Sequence, residues 1–409
     1  MPALGSLRPN SRRRRVHSGT IAALPMDHPA TPVPGNSHER PLPRRETATG
    51  QIHVIQVGPA LNVRGGISAV ERLIAGELAN RFAMQHVPTM EDGPLLRKLL
   101  VFGRAISALR ERCTGTDTLL VHIHFASYGS TLRKLVMARI ASGAGHVVIL
   151  HAHGGGFSDF LARMPRVMQR WIRHALQAAD QLLVLSSQWQ RFYIDECGVA
   201  PEKVTILRNP VRIPASIPAR AGRETVRLLY LGRMSESKGT FDVLRALQGL
   251  PSELLSRLRL TLAGDGAVAA IKAAASQFND AVTVHDWVDE ATRNALLAEA
   301  DMFVLPSYQE GIPMSVLEAM AWGLPVITTP VGGIPDVVSH DQEGLLVQPG
   351  DIAGLGAAIA ALLTDEPRRL AMGARGRTRA KAFDLRDYGS RLADIYDQAL
   401  AVHRAAQTP

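Results

Sequence analysis

Two glutamates, Glu310 and Glu318, lie on either side of a Gly-Ile-Pro break and have side chains suited to binding chemistry. Pro313 favours the first position of a helix, so the sequence predicts Glu310 on the preceding loop and Glu318 within the helix. The first backbone N–H groups of that helix, from about Met314 to Val316, have no partner within it and suit a phosphate. The arrangement offers acceptors for hydroxyl groups on either side of an anion-binding helix end.

A simpler interpretation of this stretch is a surface loop and an amphipathic helix, with Val316, Leu317 and Met320 buried and Glu318 solvated. An isolated glutamate spacing is not specific, so motifs elsewhere in the chain must decide between the two.

The composition fits a cytoplasmic protein of two domains. The 409 residues are 46% hydrophobic, and a domain takes roughly 100 to 200 residues. Cys113 and Cys197 are far apart and have no metal-ligand spacing, which favours a reducing compartment. No apolar run approaches the ~20 residues of a membrane span, and the start has no apolar signal-peptide centre. We expect a chain that does not cross a membrane by itself.

The net charge of +9 is concentrated in the N-terminal half. Residues 1–50 hold 8 Lys and Arg against 3 Asp and Glu, and residues 51–208 hold 18 against 11. The remainder is acidic, with 20 against 23. No nucleic-acid-binding signature accompanies the basic charge, so we expect no nucleic-acid partner. An anionic membrane surface or a phosphorylated substrate fits better.

Short β-rich runs alternate with helical stretches along most of the chain. They begin with QIHVIQV, TLLVHIHF, HVVILHAH and QLLVLSS, and the pattern restarts with VRLLYLG, RLRLTLAG, AVTVHDWV, DMFVLP, LPVITT and GLLVQ. This rhythm predicts two α/β domains, each a doubly wound parallel sheet, facing a shared cleft. The predicted parts are a disordered, basic, Pro-rich tail (1–50), a first Rossmann-like domain (51–208), a linker (209–225), a second Rossmann-like domain (226–385) and a C-terminal helix packing back on the first domain (386–409).

Three ordered motifs make a family resemblance specific. They are LGRMSESKG (Leu231 to Gly239), AGDG (Ala263 to Gly266) and the stretch from Ala300 to Val338. Together they resemble the donor-binding half of the retaining glycosyltransferases of family 4, which have the GT-B fold of two Rossmann-like domains. The resemblance is strong from about Leu228 to Leu346, weaker over residues 51–208 and absent from 1–50. It implies that the first domain (51–208) binds the acceptor and that the second domain (226–385) binds the nucleotide-sugar donor.

Arg233 and Lys238 follow a predicted strand and a glycine turn. Two cations at the carboxyl end of a strand can hold a diphosphate and stabilise the charge that grows on it as a glycosyl bond breaks. The resemblance implies that role for both residues. Surface charges beside a turn are the alternative.

The resemblance also gives the two glutamates separate roles. Glu310 would bind hydroxyls of the transferred sugar and Glu318 those of the nucleotide ribose, because a carboxylate accepts hydrogen bonds from two neighbouring hydroxyls. Gly311 would keep the loop clear for the sugar, and backbone N–H groups near Ile312 and Met314 would reach sugar or phosphate.

Gly65 and Gly66 precede the first predicted helix. They do not form a G-x-G-x-x-G fingerprint, and the resemblance implies that this turn approaches the donor phosphates. A tight connection between strand and helix is the alternative.

Two neighbouring predicted strands each have two histidines near the carboxyl end: His122 and His124 on the first, His151 and His153 on the second. The resemblance places a histidine near the reacting sugar at the end of the second strand, and His153 is favoured over His151 because it should lie at the strand terminus. Both residues point to the same side of the sheet, and a purely structural histidine is the alternative. His122 and His124, on the preceding strand, are expected to be structural.

The sequence contains no Asp-x-Asp pair. Glycosyltransferases that hold their donor through a divalent metal generally need such a pair, so we expect no metal and no other cofactor. Arg233, Lys238 and the helix dipole would replace the cation.

Two basic amphipathic segments, Leu95 to Arg112 and Phe160 to Gln177, contribute much of the positive charge. Apolar and basic faces together suit peripheral binding to anionic lipid. A helix that faces the core and keeps one side solvated is the alternative.

The sequence therefore predicts a retaining, metal-independent hexosyltransferase. Its donor would be a nucleoside diphosphate sugar, GDP-mannose or a UDP-hexose. Its acceptor would be a glycan or polyprenyl-linked saccharide for surface or exopolysaccharide assembly, at the inner face of the cytoplasmic membrane. A soluble acceptor, a nucleotide-sugar epimerase of the same fold and a non-catalytic sugar-nucleotide-binding protein are the alternatives.

Overall fold

The computed structural model describes residues 52–115 and 117–407. The predicted tail, residues 1–50, lies outside this described part, and the domain boundaries proposed above remain predictions. Cys113 and Cys197 are free thiols.

The N-terminal half is built on a six-stranded parallel sheet of order β2-β1-β3-β4-β5-β6. Its strands are β1 (His53–Gly58), β2 (Ala83–Pro88), β3 (Leu120–Phe125), β4 (Val147–Ala152), β5 (Gln181–Val184) and β6 (Val204–Ile206). Its helices are α1 (Gly66–Leu78), α2 (Leu95–Arg112), α3 (Gly129–Gly143), α4 (Phe157–Ala162), α5 (Arg166–Gln177) and α6 (Ser187–Asp195).

The C-terminal half repeats the plan with a second six-stranded parallel sheet, of order β12-β11-β10-β7-β8-β9. Its strands are β7 (Val226–Leu231), β8 (Leu258–Ala263), β9 (Val282–His285), β10 (Met302–Leu305), β11 (Val326–Thr328) and β12 (Gly344–Leu346). Its helices are α7 (Thr240–Gln248), α8 (Ser252–Ser256), α9 (Val268–Ala275), α10 (Glu290–Glu299), α11 (Met314–Ala321), α12 (Ile352–Thr364), α13 (Glu366–Ala380) and α14 (Leu385–Gln407).

Both faces of the first sheet are covered. Val54 of β1 belongs to a core cluster with Val70 and Ile74 of α1, whereas its neighbour Ile55 belongs to a second cluster on the opposite face. Alternate residues of a strand point to opposite faces, so the two clusters define a doubly wound sheet. Tyr396 of α14 packs in the first cluster, so the last helix of the chain closes the N-terminal sheet.

The predicted architecture of two doubly wound parallel sheets is confirmed. All six strands of the C-terminal half follow the predicted apolar runs, but β2 and β6 were not predicted. Strand β2 is an edge strand with mostly half-buried residues, and β6 has 3 residues, so neither produces a continuous apolar run.

The predicted basic segment from Phe160 to Gln177 is not one helix. The chain forms α4, breaks, and restarts as α5 at Arg166, with Pro165 as the residue before the new helix. Proline lacks the N–H that would continue the first helix, so the break follows from the sequence.

The carboxyl ends of the two sheets meet. The loop after β4 contains Gly155, where a side-chain carbon would clash with the backbone of Glu310 on the loop after β10. A side-chain carbon on Gly311 would in turn lie 2.7 Å from the carbonyl oxygen of His153. Backbone therefore packs directly on backbone at this junction, which requires glycine at both positions.

Candidate active site

Glu310 forms the centre of a polar cluster on the loop after β10. Its Oε1 accepts a hydrogen bond from Ser307 Oγ at 2.8 Å and pairs with Lys238 Nζ at 2.6 Å. The glutamate side chain is 9% exposed and the lysine 28%, so the pair lies at the base of the junction rather than on open surface. Both bonds end on the same carboxylate oxygen, so within the described part of the chain Oε2 remains to accept from a ligand.

Lys238 is held there by the turn that follows β7. The Tyr230 hydroxyl donates to the carbonyl of Arg233 at 2.9 Å, and Tyr308 N–H donates to the carbonyl of Ser237 at 2.9 Å. The second bond ties this turn to the loop of Glu310. Arg233, on the same turn, has an exposed guanidinium, so one cation is paired and the other faces solvent.

Two helix N-termini approach each other beside this cluster. Helix α1 begins at Gly66, and a side-chain carbon there would lie 3.9 Å from Met314 Cγ, in the first residue of α11. Gly65 has a φ of 150°, a value that favours glycine. Neither helix has an acidic residue in its first turn, so both dipoles present uncompensated positive ends. The pair of helix ends suits a diphosphate.

Helix α11 starts one residue later than predicted. Pro313 has extended backbone angles and lies just before the helix, and the Val316 N–H already donates to the Pro313 carbonyl at 3.2 Å. Among the described residues, the N–H groups of Met314 and Ser315 are therefore the ones left for a ligand, rather than those of Met314 to Val316.

Glu318 lies inside α11 and faces Arg293 of α10. Its carboxylate is 16% exposed, and its Oε1 lies 3.4 Å from Arg293 Nη1. Burial raises the pKa of Glu318 to about 7, since the pairing with Arg293 offsets only part of the desolvation and Glu290 adds to the rise. This carboxylate therefore gains or loses its proton near neutral pH.

The four histidines form two hydrogen-bonded pairs between β3 and β4. His122 Nε2 lies 3.3 Å from His151 Nδ1, and His124 Nδ1 lies 2.9 Å from His153 Nε2. Burial lowers the pKa of His122 and of His153 to about 3 and holds the other two well below their ordinary value, so all four are neutral at physiological pH. His153 is the one with partial exposure, whereas the other three are fully buried.

Further contacts join the two halves of the molecule. Asn209 Nδ2 donates to the carbonyl of Ile312 at 2.8 Å. Asp336 accepts from Arg208 at 2.8 Å and from the backbone and side chain of Ser187 at 3.1 Å, which places it at the N-terminus of α6. These contacts tie the C-terminal half to the segments that follow β5 and β6, and the Asn209 bond holds the residue two places after Glu310.

Sequence reasoning placed Lys238, Glu310 and the α11 N-terminus in one region, and the structure brings them together. It did not identify Ser307, Asn209, Asp336 or Arg293. Ser307, three residues before Glu310, could have been found as a local partner. The other contacts join residues far apart in the chain, so no local pattern reveals them.

Helix α2 presents an apolar surface. Leu95, Leu96, Leu99 and Leu100, here the α2 leucine patch, are 55% to 72% exposed, and exposed Arg97 and Arg104 flank them. The core-facing alternative holds only for the rest of α2, where Val101, Ala105 and Leu109 are buried. None of the helices within 52–115 and 117–407 combines the length and hydrophobicity needed to cross a bilayer.

The chain matches two family models. Residues 64–213 match the model described as Glycosyltransferase Family 4, and residues 225–365 match Glycosyl transferases group 1. Residues 214–224, between the last strand of the first sheet and the first strand of the second, fall in neither match.

The chain is similar in sequence to a glycogen synthase and a galactosyltransferase, and similar in structure to a protein solved with UDP. The chain is 30% identical over 288 residues to a glycogen synthase of Mycobacterium tuberculosis, an alignment that covers 64% of each protein. The chain thus spans slightly less than two thirds of that relative's length. It is 34% identical over 192 residues to the lipopolysaccharide 1,6-galactosyltransferase of Escherichia coli K12, covering 44% of this chain and 52% of the relative. The structure of HepE from Anabaena in complex with UDP superposes with a TM-score of 0.67 at 16% identity, over 85% of this chain and 100% of that one.

Proposed function

The chain belongs to the group 1 and family 4 glycosyltransferases, and we propose that it transfers a hexosyl unit from a nucleoside diphosphate sugar to an acceptor hydroxyl, with retention and without a metal ion. The observation that carries this proposal is the Lys238–Glu310 pair at 2.6 Å, beside two helix N-termini that lack acidic residues. One place thus offers a cation, a hydroxyl acceptor and N–H groups for phosphate.

The donor lies with its diphosphate between the α1 and α11 N-termini, against Arg233 and Lys238. The hexose binds Glu310, with backbone support from Gly311 and Ile312, and the ribose binds Glu318. HepE has also been solved with UDP-glucose, which supports a nucleotide-sugar donor and favours testing UDP-hexoses before GDP-mannose.

The reaction is a displacement at the anomeric carbon. The bond from that carbon to the diphosphate oxygen breaks, and its electron pair stays on the phosphate. The acceptor oxygen forms the new glycosidic bond on the same face, and its proton passes to the leaving phosphate. Lys238, Arg233 and the two helix ends stabilise the growing charge, in place of a metal ion. Glu310 positions the sugar and forms no covalent bond to it.

The acceptor is a lipid-linked saccharide of surface or exopolysaccharide assembly. The α2 leucine patch and its flanking arginines support binding to the anionic inner face of the cytoplasmic membrane, because apolar side chains insert while cations meet lipid headgroups.

The configuration of the product tests the transfer. Nucleotide release is followed with UDP-hexoses and GDP-mannose, with and without a lipid-linked acceptor extract, and the product is analysed by NMR. An α-linked glycoside from an α-linked donor is expected at full rate in chelator. A β-linked product would refute retention, a loss of activity in chelator restored by manganese would refute metal independence, and free sugar with no glycoside would indicate the epimerase.

Co-sedimentation with vesicles tests the membrane surface. The full chain is expected to bind vesicles that contain anionic lipid and to lose most of that binding in Leu96→Ser/Leu99→Ser. Val402→Ser, which changes a residue 71% exposed on α14, is the matched control and should bind as before. Binding that does not depend on anionic lipid would contradict this part of the proposal.

A further inference from the structure

The proton positions of the His124 and His153 pair can be worked out from their neighbours. A neutral imidazole has one nitrogen that donates and one that accepts. Since His124 Nδ1 and His153 Nε2 lie 2.9 Å apart, one of these two nitrogens carries the shared proton. The partner of the remaining His153 nitrogen, Nδ1, decides which one.

Asn209 supplies that partner. The Ile312 carbonyl only accepts, so the Asn209 atom 2.8 Å from it must be the amide nitrogen, which fixes the orientation of the side chain. Asn209 is 4% exposed, and its Oδ1 has no well-aligned hydrogen bond among the described residues. Burial lowers the pKa of His153, and a hydrogen bond with the Asn209 side chain raises it in part, which is the effect of an acceptor facing the imidazole. A buried acceptor without a donor is costly, and the Nδ1–H of His153 would supply that donor.

We propose that Asn209 is a positioning residue that accepts from His153 Nδ1–H, sets the tautomer of that histidine and holds the donor loop through the Ile312 carbonyl. His153 Nε2 is then the acceptor of the proton on His124 Nδ1. The chain of contacts runs from β3 through His124, His153 and Asn209 to the residue two places after Glu310.

The proton on His153 Nδ1 limits what this imidazole can do in the transfer reaction, a step that rests on the proposed function. With Nδ1 donating to Asn209 and Nε2 accepting from His124, His153 keeps no free nitrogen to remove a proton from the acceptor. The imidazole therefore orients the site, and the leaving phosphate takes the proton.

The tautomer is measured directly by NMR of the full chain with 15N-labelled histidine, with His153→Gln identifying the signals. The expected spectrum has the proton of His153 on Nδ1 in the unmodified protein and in Asn209→Asp, which keeps an acceptor at this position. Asn209→Ala should lose that preference. A proton on Nε2 of His153 in the unmodified protein would overturn the proposal, whether or not the protein is a glycosyltransferase.

Kinetics test the link to the donor loop. Asn209→Ala should lower kcat by about tenfold to a hundredfold with donor KM changed less than about threefold, because the loop is misplaced rather than the donor contacts removed. Asn209→Asp should also lose kcat, since a carboxylate cannot donate to the Ile312 carbonyl.

Tyr396→Phe is the matched control. It removes the hydroxyl 2.7 Å from His122 Nδ1 and so disturbs the His122–His151 pair while leaving the Asn209 and His153 side chains in place. Its kcat should change less than about twofold. Equal losses in Tyr396→Phe and Asn209→Ala, or an unchanged kcat in Asn209→Ala, would overturn the positioning role. If Asn209→Ala fails to fold, Asn209→Asp and the spectrum of the unmodified protein still decide the proposal.

Discussion

Glu318 offers the sharpest test of the site, because its burial makes a prediction about both stability and donor binding. Its pKa rises from an ordinary value of 4.5 to about 7. Each tenfold change in the acid dissociation constant is worth about 1.4 kcal/mol, so the shift corresponds to a cost of about 3 kcal/mol for keeping this carboxylate ionised in the folded protein.

The raised pKa of Glu318 makes the folded protein less stable as the pH rises. Because the folded protein holds the proton more tightly than the unfolded chain, stability is fully present below the unfolded pKa and is lost as pH rises through the folded pKa. Glu318→Gln carries no such charge. The difference in unfolding free energy between Glu318→Gln and the unmodified protein should therefore grow in favour of the variant, by about 2 to 3 kcal/mol between about pH 5 and pH 8.

Urea unfolding at several pH values across that window measures the difference, and thermal unfolding checks it. Glu290→Gln is the matched control, because that side chain is 66% exposed on the neighbouring helix and should show little change. A constant difference between Glu318→Gln and the unmodified protein from about pH 5 to pH 8 would show that Glu318 has an ordinary pKa and would refute the burial argument.

The affinity for the donor should also depend on the protonation of Glu318. Ribose hydroxyls donate to the ionised carboxylate, so binding releases a proton below about pH 7, and affinity should rise with pH up to that value by at most about tenfold for each pH step. The intact nucleotide sugar is the right probe, since its diphosphate is esterified at both ends and keeps its charge. Glu318→Gln should bind more weakly and without this pH dependence.

Three further perturbations address the junction. Lys238→Met should lower turnover by about a hundredfold to a thousandfold, because it removes a cation from the diphosphate. Arg227→Met, which breaks an exposed pair with Glu299, should leave turnover unchanged. Equal kinetics in the two variants would contradict the role of Lys238. Gly155→Ala should lower kcat by about tenfold to a hundredfold, because the new methyl group pushes away the Glu310 backbone. Gly143→Ala is the control: nothing lies within 4 Å of its new methyl group, so this variant should be at least as stable as the unmodified protein. Burial raises the pKa of Asp336, but hydrogen bonds from Arg208 and Ser187 outweigh burial and hold the pKa below its ordinary value. Asp336→Asn should therefore be less stable than the unmodified protein at neutral pH, and the two should become equally stable in acid, where the aspartate is protonated. Urea unfolding at neutral and at acidic pH measures this difference.

The sequence predicts those parts of the fold that depend on local pattern. The strands of the C-terminal half are continuous apolar runs, and their order of appearance with helices between them is enough to predict a parallel sheet. Strand β2 is a mostly half-buried edge strand and β6 is short, so tertiary pairing rather than composition defines them. The break before α5 was predictable in principle, since Pro165 lies within the segment.

The same division holds for the site. Glu310 and Lys238 could be placed in one region because each follows the carboxyl end of a strand in the same sheet, where such ends converge. Asn209 donates to the carbonyl of Ile312, and Asp336 accepts from the backbone at the N-terminus of α6, so each contact joins the two halves of the molecule. Partners that are backbone groups cannot be identified from the types of the side chains. The contact between Gly155 and the Glu310 backbone could not be predicted either, because a glycine in a loop is equally consistent with a turn that makes no close contact.

Both glutamates of the site are paired with a cation, and the difference between the pairs has a functional meaning. Lys238 lies 2.6 Å from Glu310, whereas Arg293 lies 3.4 Å from Glu318. A donor diphosphate would compete with Glu310 for the ammonium of Lys238 while the sugar hydroxyls replace that ammonium at the carboxylate. Because each charge exchanges one partner for another, neither is left buried and unpaired during binding, which would otherwise cost several kcal/mol. Arg293 meets no such competitor, so Glu318 keeps its partner and its charge is governed by burial and by the ribose.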